Sequence, residues 1–395
     1  MSANPHGTGV GDSGASPARV SAAPSPSSAA PATSRAPARI EDRLARTGGA
    51  LELLRIPAAL FGVAVRARRA AYDRGWLSTT RLSVPVVCVG NLTAGGTGKT
   101  PTVAWVVRGL QARGFRPGIL SRGYGAAAGE ENDEARLLAE LCPGVPHVQD
   151  AERARGGAKL VELGCDAVVL DDGFQHRKLA RDVDLVLVDA TRPWGLPADE
   201  RGRAVKALLP RGLLREPPSS LARAHALVIT RCDAIGATEL DALERELAGF
   251  APGRGVALAR HAPRAWVDER GARTELATLR GKRVDVVSAI GNPAAFERTL
   301  RGLGVELAEV RRFPDHHRYV AADLDGLGGL GADGRVLVTT QKDAVKLAPL
   351  GARFQALAIE TEFARDAGVL EALLDALPRA GEDVVKLPSR RKLRD

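Results

Sequence analysis

A glycine-rich stretch between an apolar run and a helical pattern constrains the fold of this chain more than any other feature. It reads VCVGNLTAGGTGKT, from Val87 to Thr100. In a strand–turn–helix of this kind, successive backbone N–H groups and the helix N-terminus form a cradle for phosphate. The stretch departs from the pattern G-x-x-x-x-G-K-[ST] where Thr93 replaces the first glycine. Because that glycine only opens the turn, we expect the cradle to form.

The side chains of this loop have distinct expected roles. Lys99 is placed to reach the terminal phosphates of a nucleotide, and Thr100 to bind Mg²⁺. A chance GKT in a glycine-rich turn is the alternative, and the strand before it and the helix after it weigh against that alternative. The residues expected to bind the nucleotide here are Thr93, Ala94, Gly95, Gly96, Thr97, Gly98, Lys99 and Thr100.

Apolar strands alternate with amphipathic helices from about residue 84 onward. This order predicts an α/β fold of the P-loop NTPase type, with a mostly parallel sheet and helices on both faces. Residues 79–255 are assigned to this core. A β-hairpin linker is predicted over residues 256–280, with its turn at Asp268 to Gly271. Residues 281–378 are predicted to form a smaller C-terminal α/β domain.

The two ends of the chain differ from this pattern in composition. Residues 1–38 are rich in Ala, Pro, Ser, Thr and Gly, so they cannot bury enough apolar surface to fold and are predicted to be a disordered tail. Residues 39–78 hold a short apolar patch flanked by arginines, which fits an amphipathic helix in a membrane interface. A helix packed on the core with a basic rim is the alternative. Residues 379–395 form a basic tail.

The formal charge of +9 favours acidic partners such as phosphorylated ligands, nucleic acid or an anionic membrane. Aromatic residues make up only 4% of the chain, and no basic run is interleaved with stacking rings, so a nucleic-acid partner is not expected. A basic scaffold would explain the charge but not the glycine-rich loop. The four cysteines are far apart and form no C-x-x-C, which favours buried free thiols: Cys88, Cys142, Cys165 and Cys232.

Acidic residues follow several of the predicted strands. Asp171 and Asp172 end a buried strand, and ligands of open α/β sheets bind at that edge. Paired carboxylates there suit Mg²⁺, and a helix cap or a solvated turn is the alternative. Asp189 and Asp233 are weaker metal candidates. Asp233 closes VITRCD, which has Thr230 and Arg231 in place of the Asn and Lys of a guanine-reading motif.

The stretch FPDHH places two histidines beside Asp315 in a chain with only seven histidines. An Asp–His pair can tune a general base. A metal pair is a second possibility, although neighbouring side chains on a strand point to opposite faces. A histidine satisfied beside a turn is the third. His316 and His317 are therefore both candidates.

Together these segments resemble the tetraacyldisaccharide 4′-kinases, or lipid A 4′-kinases, of Gram-negative bacteria. The resemblance covers roughly residues 45–378 and includes the threonine in the glycine-rich loop. The motifs that carry it are VGNLTAGGTGKTP (89–101), LSRGYG (120–125), DDGFQH (171–176), LLPRGLLREP (208–217), IGNP (290–293), FPDHHRY (313–319) and KDAVKL (342–347).

The resemblance implies transfer of the γ-phosphate of ATP to the 4′-hydroxyl of a tetraacyl glucosamine disaccharide 1-phosphate, forming lipid IVA. It implies that Asp133 is the catalytic base, that His316 or His317 pairs with it, and that Lys99 takes part in the transfer. Asp133 lies in NDEA where the family has G-D-E-P, so it is also a candidate helix cap. The further implied roles are a nucleotide site that includes Ser121 and Gln175, and Mg²⁺ ligands among Thr100, Asp171, Asp172 and Glu216.

The same resemblance implies a place of action. The lipid disaccharide 1-phosphate is the expected substrate, and the anionic surface of the inner membrane is the expected partner, at its cytoplasmic face. No obligate protein partner is inferred. A P-loop GTPase or metal-chaperone type of regulatory NTPase is the competing interpretation, supported by VITRCD and the glycine-rich loop.

Overall fold

The computed structural model describes residues 40–46, 48–123, 132–328 and 335–379. The predicted disordered tail 1–38 and all but the first residue of the basic tail lie outside the described residues. The helices are α1 (Ile40–Ala45), α2 (Arg55–Asp73), α3 (Lys99–Ala112), α4 (Asp133–Leu141), α5 (Arg153–Glu162), α6 (Ala237–Phe250), α7 (Pro293–Gly302), α8 (Gln341–Leu347) and α9 (Ala367–Asp375).

In these described ranges, twelve strands form one sheet. They are β1 (Val86–Asn91), β2 (Pro117–Ser121), β3 (His147–Gln149), β4 (Ala167–Asp171), β5 (Val183–Asp189), β6 (Ala226–Thr230), β7 (Gly255–Asp268), β8 (Arg273–Thr274), β9 (Arg283–Ser288), β10 (Glu306–Arg312), β11 (Val336–Thr340) and β12 (Gln355–Arg365). Their order is β10-β9-β11-β12-β7-β6-β5-β1-β4-β2-β3, with β8 beside β7.

The sheet is mostly parallel, which confirms the predicted fold class. Strands β1, β2, β4, β5 and β6 are buried along their whole length, as expected for strands covered on both faces. Successive residues of β1 face opposite sides: Val87 and Val89 pack in a core with α3, and Val86 and Cys88 pack in a core with Leu160 of α5. All four cysteines are buried and free, as predicted.

The long strand β7 joins the two parallel parts of the sheet. Its turn lies where the sequence predicts it, since Gly271 N–H donates to the carbonyl of Asp268 over 3.0 Å. The hairpin partner β8 pairs at only two positions, however, and β7 pairs mainly with β12, antiparallel, from Leu258 to Asp268. Strands β9, β10 and β11 continue the same sheet beyond β12, parallel to one another.

Helix α2 carries apolar side chains on a solvent-facing side. Ile56, Leu60 and Val63 are all more than half exposed, at positions that share one face of the helix. Ala58 and Gly62 lie on another side and are buried. A Cβ added to Gly62 would lie 2.8 Å from a methyl group of Leu208, which shows how closely this side packs. Within the part of the chain that the structure describes, no helix is both long and apolar enough to cross a membrane.

Candidate active site

The glycine-rich loop lies at the carboxyl edge of the sheet, between the end of β1 and the start of α3. Strands β4 and β5 flank β1, so Asn91, Asp171 and Asp189 end at the same edge. Helix α3 begins at Lys99, and no side chain caps it. Its first N–H groups therefore remain available to an anion, as in known phosphate sites.

Gly98 is the residue on which the loop geometry depends most. Its φ is +86°, in the left-handed region that glycine adopts without strain. A Cβ at this position would also lie 2.3 Å from the buried Nε2 atom of the half-buried His261, on β7. Any larger residue at position 98 would therefore collide with the His261 side chain. The sequence does not predict a role for His261, because this residue lies far from Gly98 along the chain and no motif connects the two.

Thr93 supports the loop from behind. Its side chain is buried, and its hydroxyl accepts a hydrogen bond from Asn91 Nδ2 over 3.3 Å. The segment that covers it is close, since a Cβ on Gly195 would lie 3.2 Å from the Thr93 methyl group. Ala94 N–H donates to the carbonyl of Leu213 over 2.8 Å. The threonine that breaks the common pattern thus packs into the protein.

VITRCD supports the other side of the loop. Thr230 donates from its hydroxyl to the carbonyl of Thr97 over 2.9 Å, and Arg231 donates to the carbonyl of Gly96 over 3.2 Å. Arg231 has a φ of +54° and also pairs with Asp189. These contacts give Thr230 and Arg231 a structural role at the loop in place of base reading.

Lys99 points back over the end of β1. Its Nζ lies 3.4 Å from Asn91 Oδ1 and 3.8 Å from Asp172 Oδ1. Gln175 supports the same strand end, because its Nε2 donates to the carbonyl of Asn91 over 2.8 Å. The ammonium group is thus held at the mouth of the loop. Gln175 stabilises the strand that carries the loop.

Asp172 is engaged by cations of the protein. Arg215 binds both of its carboxylate oxygens, at 2.7 and 2.8 Å. Burial raises the pKa of this carboxyl group, but Lys99 and Arg215 outweigh it and hold the pKa well below its usual range. The φ of Asp172 is +52°, a strained value that turns the side chain toward Arg215. Arg215 belongs to LLPRGLLREP, a motif in which only Glu216 was predicted to have a role.

Asp171 differs from its neighbour in its hydrogen-bond partners and in the direction of its pKa shift. It is 4% exposed, and its Oδ1 has no hydrogen-bond partner in the protein. Burial and the nearby Glu134 raise its pKa to about 7, although Lys99 opposes this. A buried carboxylate without a partner is costly, and a cation would relieve that cost. Among the described residues, no group of three or more His, Cys, Asp or Glu side chains is placed to hold a metal ion by itself.

The remaining predicted carboxylates have other partners. Glu216 is buried and forms an ion pair with Arg223 at 2.7 Å. Asp189 accepts from both the backbone and the hydroxyl of Thr191. Asp233 is exposed in a short 3₁₀ turn.

Ser121 ends β2, two strands away from the loop strand. Its hydroxyl lies 2.9 Å from Nε2 of His147. Burial lowers the pKa of His147 to about 4, so the ring is neutral and one of its two nitrogens carries the proton. Tyr124 and Gly125, which follow in the same motif, lie outside the described residues.

Asp133 opens α4 without capping it. Asn132 is the N-cap, since its Oδ1 accepts from the backbone of Ala135 over 2.8 Å. The Asp133 carboxylate faces His316 instead, with Nδ1 3.2 Å from Oδ2 and 3.3 Å from Oδ1. His316 has a φ of +63°, in the left-handed region that non-glycine residues adopt uncommonly. The hydrogen bond to Asp133 raises the pKa of His316.

His317 lies on the other side of the same turn. Its Nε2 is 2.8 Å from Oδ2 of Asp323, and its ring stacks on Phe313 with centroids 4.5 Å apart. The backbone of His317 donates to the carbonyl of Pro314, which fixes the turn. Of the two histidines, the structure brings His316 to Asp133 and gives His317 a packing role.

The turn with His316 lies close to the glycine-rich loop. Gly291, in IGNP, approaches both: a Cβ added there would lie 3.1 Å from the backbone nitrogen of Gly96 and 3.6 Å from Oδ2 of Asp315. Gly291 therefore connects the turn that carries His316 with the glycine-rich loop. Lys342 and Lys346 also face Asp133, and their spacing of four in KDAVKL was the available signal for this.

A family model described as tetraacyldisaccharide-1-P 4′-kinase matches residues 50–378. The chain belongs to this family. It is accordingly a kinase of lipid A synthesis that phosphorylates the 4′ position of a tetraacyl disaccharide 1-phosphate. The competing interpretation as a regulatory NTPase is not favoured.

Individual members of the tetraacyldisaccharide 4′-kinase family align over most of their length. The protein from Anaeromyxobacter dehalogenans (strain 2CP-C) is 45% identical over 358 residues, covering 84% of this chain and 90% of that protein. The one from Aeromonas hydrophila is 39% identical over 306 residues, covering 73% and 81%. The crystal structure of LpxK from Aquifex aeolicus in complex with ATP superposes with a TM-score of 0.64 at 29% identity, over 82% of this chain and 98% of that one.

Proposed function

We propose that this kinase transfers the γ-phosphate of ATP to the 4′-hydroxyl of tetraacyl glucosamine disaccharide 1-phosphate, giving ADP and lipid IVA. The observation that carries the mechanism is the Asp133–His316 pair beside the glycine-rich loop. With ATP bound in the cradle, its γ-phosphate would lie close to an acceptor 4′-hydroxyl that contacts the Asp133 carboxylate. The crystal structure of the Aquifex aeolicus relative is a complex with ATP, which supports ATP as the nucleotide.

The phosphates of ATP bind to the loop and to Lys99. The uncapped N-terminus of α3 supplies N–H donors, and the Lys99 ammonium supplies a positive charge at the mouth of the loop. Phosphoryl transfer depends mainly on such positioning and charge stabilisation. Asn91 and Gln175 keep Lys99 and its strand in place.

Asp133 accepts the proton of the 4′-hydroxyl. As the O–H bond breaks, the hydroxyl oxygen forms a bond to the γ-phosphorus, and the bond from that phosphorus to the β-phosphate oxygen breaks. His316, whose pKa is raised, donates to the carboxylate and keeps it oriented. A strong base is not required, because catalysis of phosphoryl transfer depends mainly on positioning and charge stabilisation.

Asp171 and Thr100 are the residues proposed to hold Mg²⁺. The unpartnered buried oxygen of Asp171 fits a cation, whereas Asp172 and Glu216 are paired with arginines. A bound Mg²⁺ would neutralise charge on the β- and γ-phosphates of ATP. The role of Asp172 is to hold Lys99 and Arg215 in place.

Asp171→Asn is expected to raise the Mg²⁺ concentration for half-maximal activity by at least about tenfold, because an amide is a poorer ligand than a carboxylate. Activity against free Mg²⁺ measures this, and Mn²⁺ binding followed by electron paramagnetic resonance measures it without turnover. The exposed Asp233→Asn is the matched control. An unchanged metal dependence of the Asp171 variant would contradict the proposed site.

Helix α2 is proposed to lie in the cytoplasmic surface of the inner membrane, where the acceptor lipid resides. Ile56, Leu60 and Val63 present an apolar row to solvent, and arginines such as Arg66 and Arg74 are exposed near it. An apolar row flanked by cations suits an anionic bilayer surface. The acyl chains of the acceptor would then stay in the bilayer while its sugar reaches Asp133.

Leu60→Asp is expected to lower binding to vesicles of anionic phospholipid about tenfold or more, because a buried leucine contributes about 1.5–3 kcal/mol. Co-sedimentation with the vesicles gives the bound fraction. Leu163→Asp is the matched control, since Leu163 is also more than half exposed but lies after α5. Equal losses in the two variants would argue against α2 as the membrane-binding element.

The decisive experiment for the function combines purified protein, labelled ATP and the lipid disaccharide 1-phosphate. Transfer of label to the lipid at the 4′ position is expected. Absence of a labelled lipid together with a preference for GTP would overturn the proposal.

A further inference from the structure

Nitrogen atoms of three basic side chains lie close to one oxygen of Asp133. His316 Nδ1 lies 3.2 Å from Oδ2, Lys346 Nζ lies 3.7 Å from it, and Lys342 Nζ lies 4.0 Å from it. The same ring nitrogen of His316 lies 3.3 Å from Oδ1. His316 thus contacts both oxygens of the carboxylate, whereas the close approach of each lysine is to Oδ2.

Both lysines lie on α8, which packs against the start of α4. Lys342 and Lys346 are four residues apart, so they project from the same face of the helix, one turn after the other. Helix α8 begins with a firm cap, because Thr340 accepts from the backbone of Asp343 over 3.1 Å. The two ammonium groups are thus presented to Asp133 by a fixed element.

Both lysines also pair with other carboxylates, Lys342 with two and Lys346 with one. Lys342 lies 3.1 Å from Asp315 Oδ1 and 3.8 Å from Glu134 Oε1, and Lys346 lies 2.8 Å from Asp343 Oδ1. The two lysine side chains are only 18% and 13% exposed. Since a desolvated ammonium group must be paired, these contacts restrict both side chains to one arrangement.

The charges around Asp133 come from three elements. Helix α8 contributes Lys342, Lys346 and Asp343, the turn after β10 contributes Asp315 and His316, and α4 contributes Glu134. Burial would raise the pKa of Asp133, but the hydrogen bond from His316 and the two lysines lower it to about 2. The carboxylate is therefore ionised whenever the acceptor arrives.

We propose that Lys342 and Lys346 are positioning residues that fix the Asp133 carboxylate by its Oδ2 and leave Oδ1 to receive the proton of the acceptor hydroxyl. This inference rests on the proposed role of Asp133 as the base. The lysines act through Asp133 and contact neither substrate. The lysines affect the orientation of the reacting oxygen of Asp133, so their removal should lower kcat.

The test is a double-mutant cycle between Lys342 and Asp133. Lys342→Met is expected to lower kcat between about tenfold and a hundredfold, because misplacing a reacting group by about 1 Å has effects of that size. The KM for ATP should stay within about twofold, because Lys342 lies outside the cradle. In the Asp133→Asn background, the same substitution should change kcat less than about twofold. Lys342→Arg should restore part of kcat, because it keeps the charge.

The exposed Lys159→Met on α5 is the matched control for the loss of a lysine, and thermal unfolding checks that each variant folds. If Lys342→Met lowers kcat by the same factor in the Asp133→Asn background as in the wild type, the inference is overturned, because the lysine then acts independently of Asp133. A change confined to the KM for ATP or the lipid would overturn it as well. If the wild-type protein transfers no label to the lipid, the proposed function itself fails, and the inference fails with it.

Discussion

Replacing Lys99 by alanine is expected to lower kcat/KM for phosphate transfer at least about a thousandfold, the size of effect seen when a charge that stabilises phosphoryl transfer is removed. Lys99 is the cation that the structure places at the mouth of the glycine-rich loop, between Asn91 and Asp172. The substitution leaves the bidentate pair of Arg215 with Asp172 in place, so the fold around the loop should persist.

The measurement for Lys99→Ala is single-turnover transfer of label from ATP to the lipid acceptor. Lys159→Ala, an exposed lysine on α5, is the comparison and should behave as the wild type. Thermal unfolding of both variants separates a catalytic loss from a folding defect. Near-normal turnover by Lys99→Ala would refute the assignment of the loop as the phosphate site.

Replacing Asp133 by alanine is expected to lower kcat about a hundredfold to ten-thousandfold, the range typical for loss of a positioned general base. ATP affinity should be unchanged, because the cradle and Lys99 are built by β1 and α3 rather than α4. Asn132 caps α4, so the helix keeps its start without Asp133. Steady-state kcat and equilibrium binding of a nucleotide analogue measure the two expectations.

The adjacent histidines provide a matched pair for this prediction. His316→Ala should lower kcat, because His316 donates to the Asp133 carboxylate, whereas His317→Ala should leave the kcat of the folded protein near that of the wild type. Removing His317 should instead lower the midpoint of thermal unfolding, because its ring stacks on Phe313. A change only in the KM for ATP in Asp133→Ala, or an equal loss of kcat in both histidine variants, would contradict the assignment.

The sequence predicts the parallel part of the sheet well, because its signal is local. Apolar runs such as β4 and β5 end in acid, and each run is a buried strand. The pairing of β7 with β12 is different in kind. The two strands lie far apart in the chain, and the pattern around Asp268 indicates only the local hairpin with β8. Nothing in either strand alone specifies its distant partner.

The site shows the same division between local and distant information. The cradle and Lys99 follow from one contiguous motif, and they are at the predicted edge of the sheet. Asp171 and Asp172 look like an equivalent pair in sequence, yet Asp171 is buried with no hydrogen-bond partner at Oδ1, and Asp172 is bound by Arg215. That difference depends on a loop many residues later in the chain. The pairing of Asp133 with a histidine of FPDHH was predicted from the resemblance to a family, because the periodicity of the sequence gives no sign of it.

The contact between Gly98 and His261 has a consequence for modularity. The glycine-rich loop belongs to the first parallel part of the sheet. It packs against a side chain of β7, however, and Gly291, which follows β9, contacts it as well. A fragment that ends before β7 would keep every residue of the glycine-rich motif and lose the surfaces against which the loop is moulded. The shape of the glycine-rich loop therefore depends on residues from both halves of the chain.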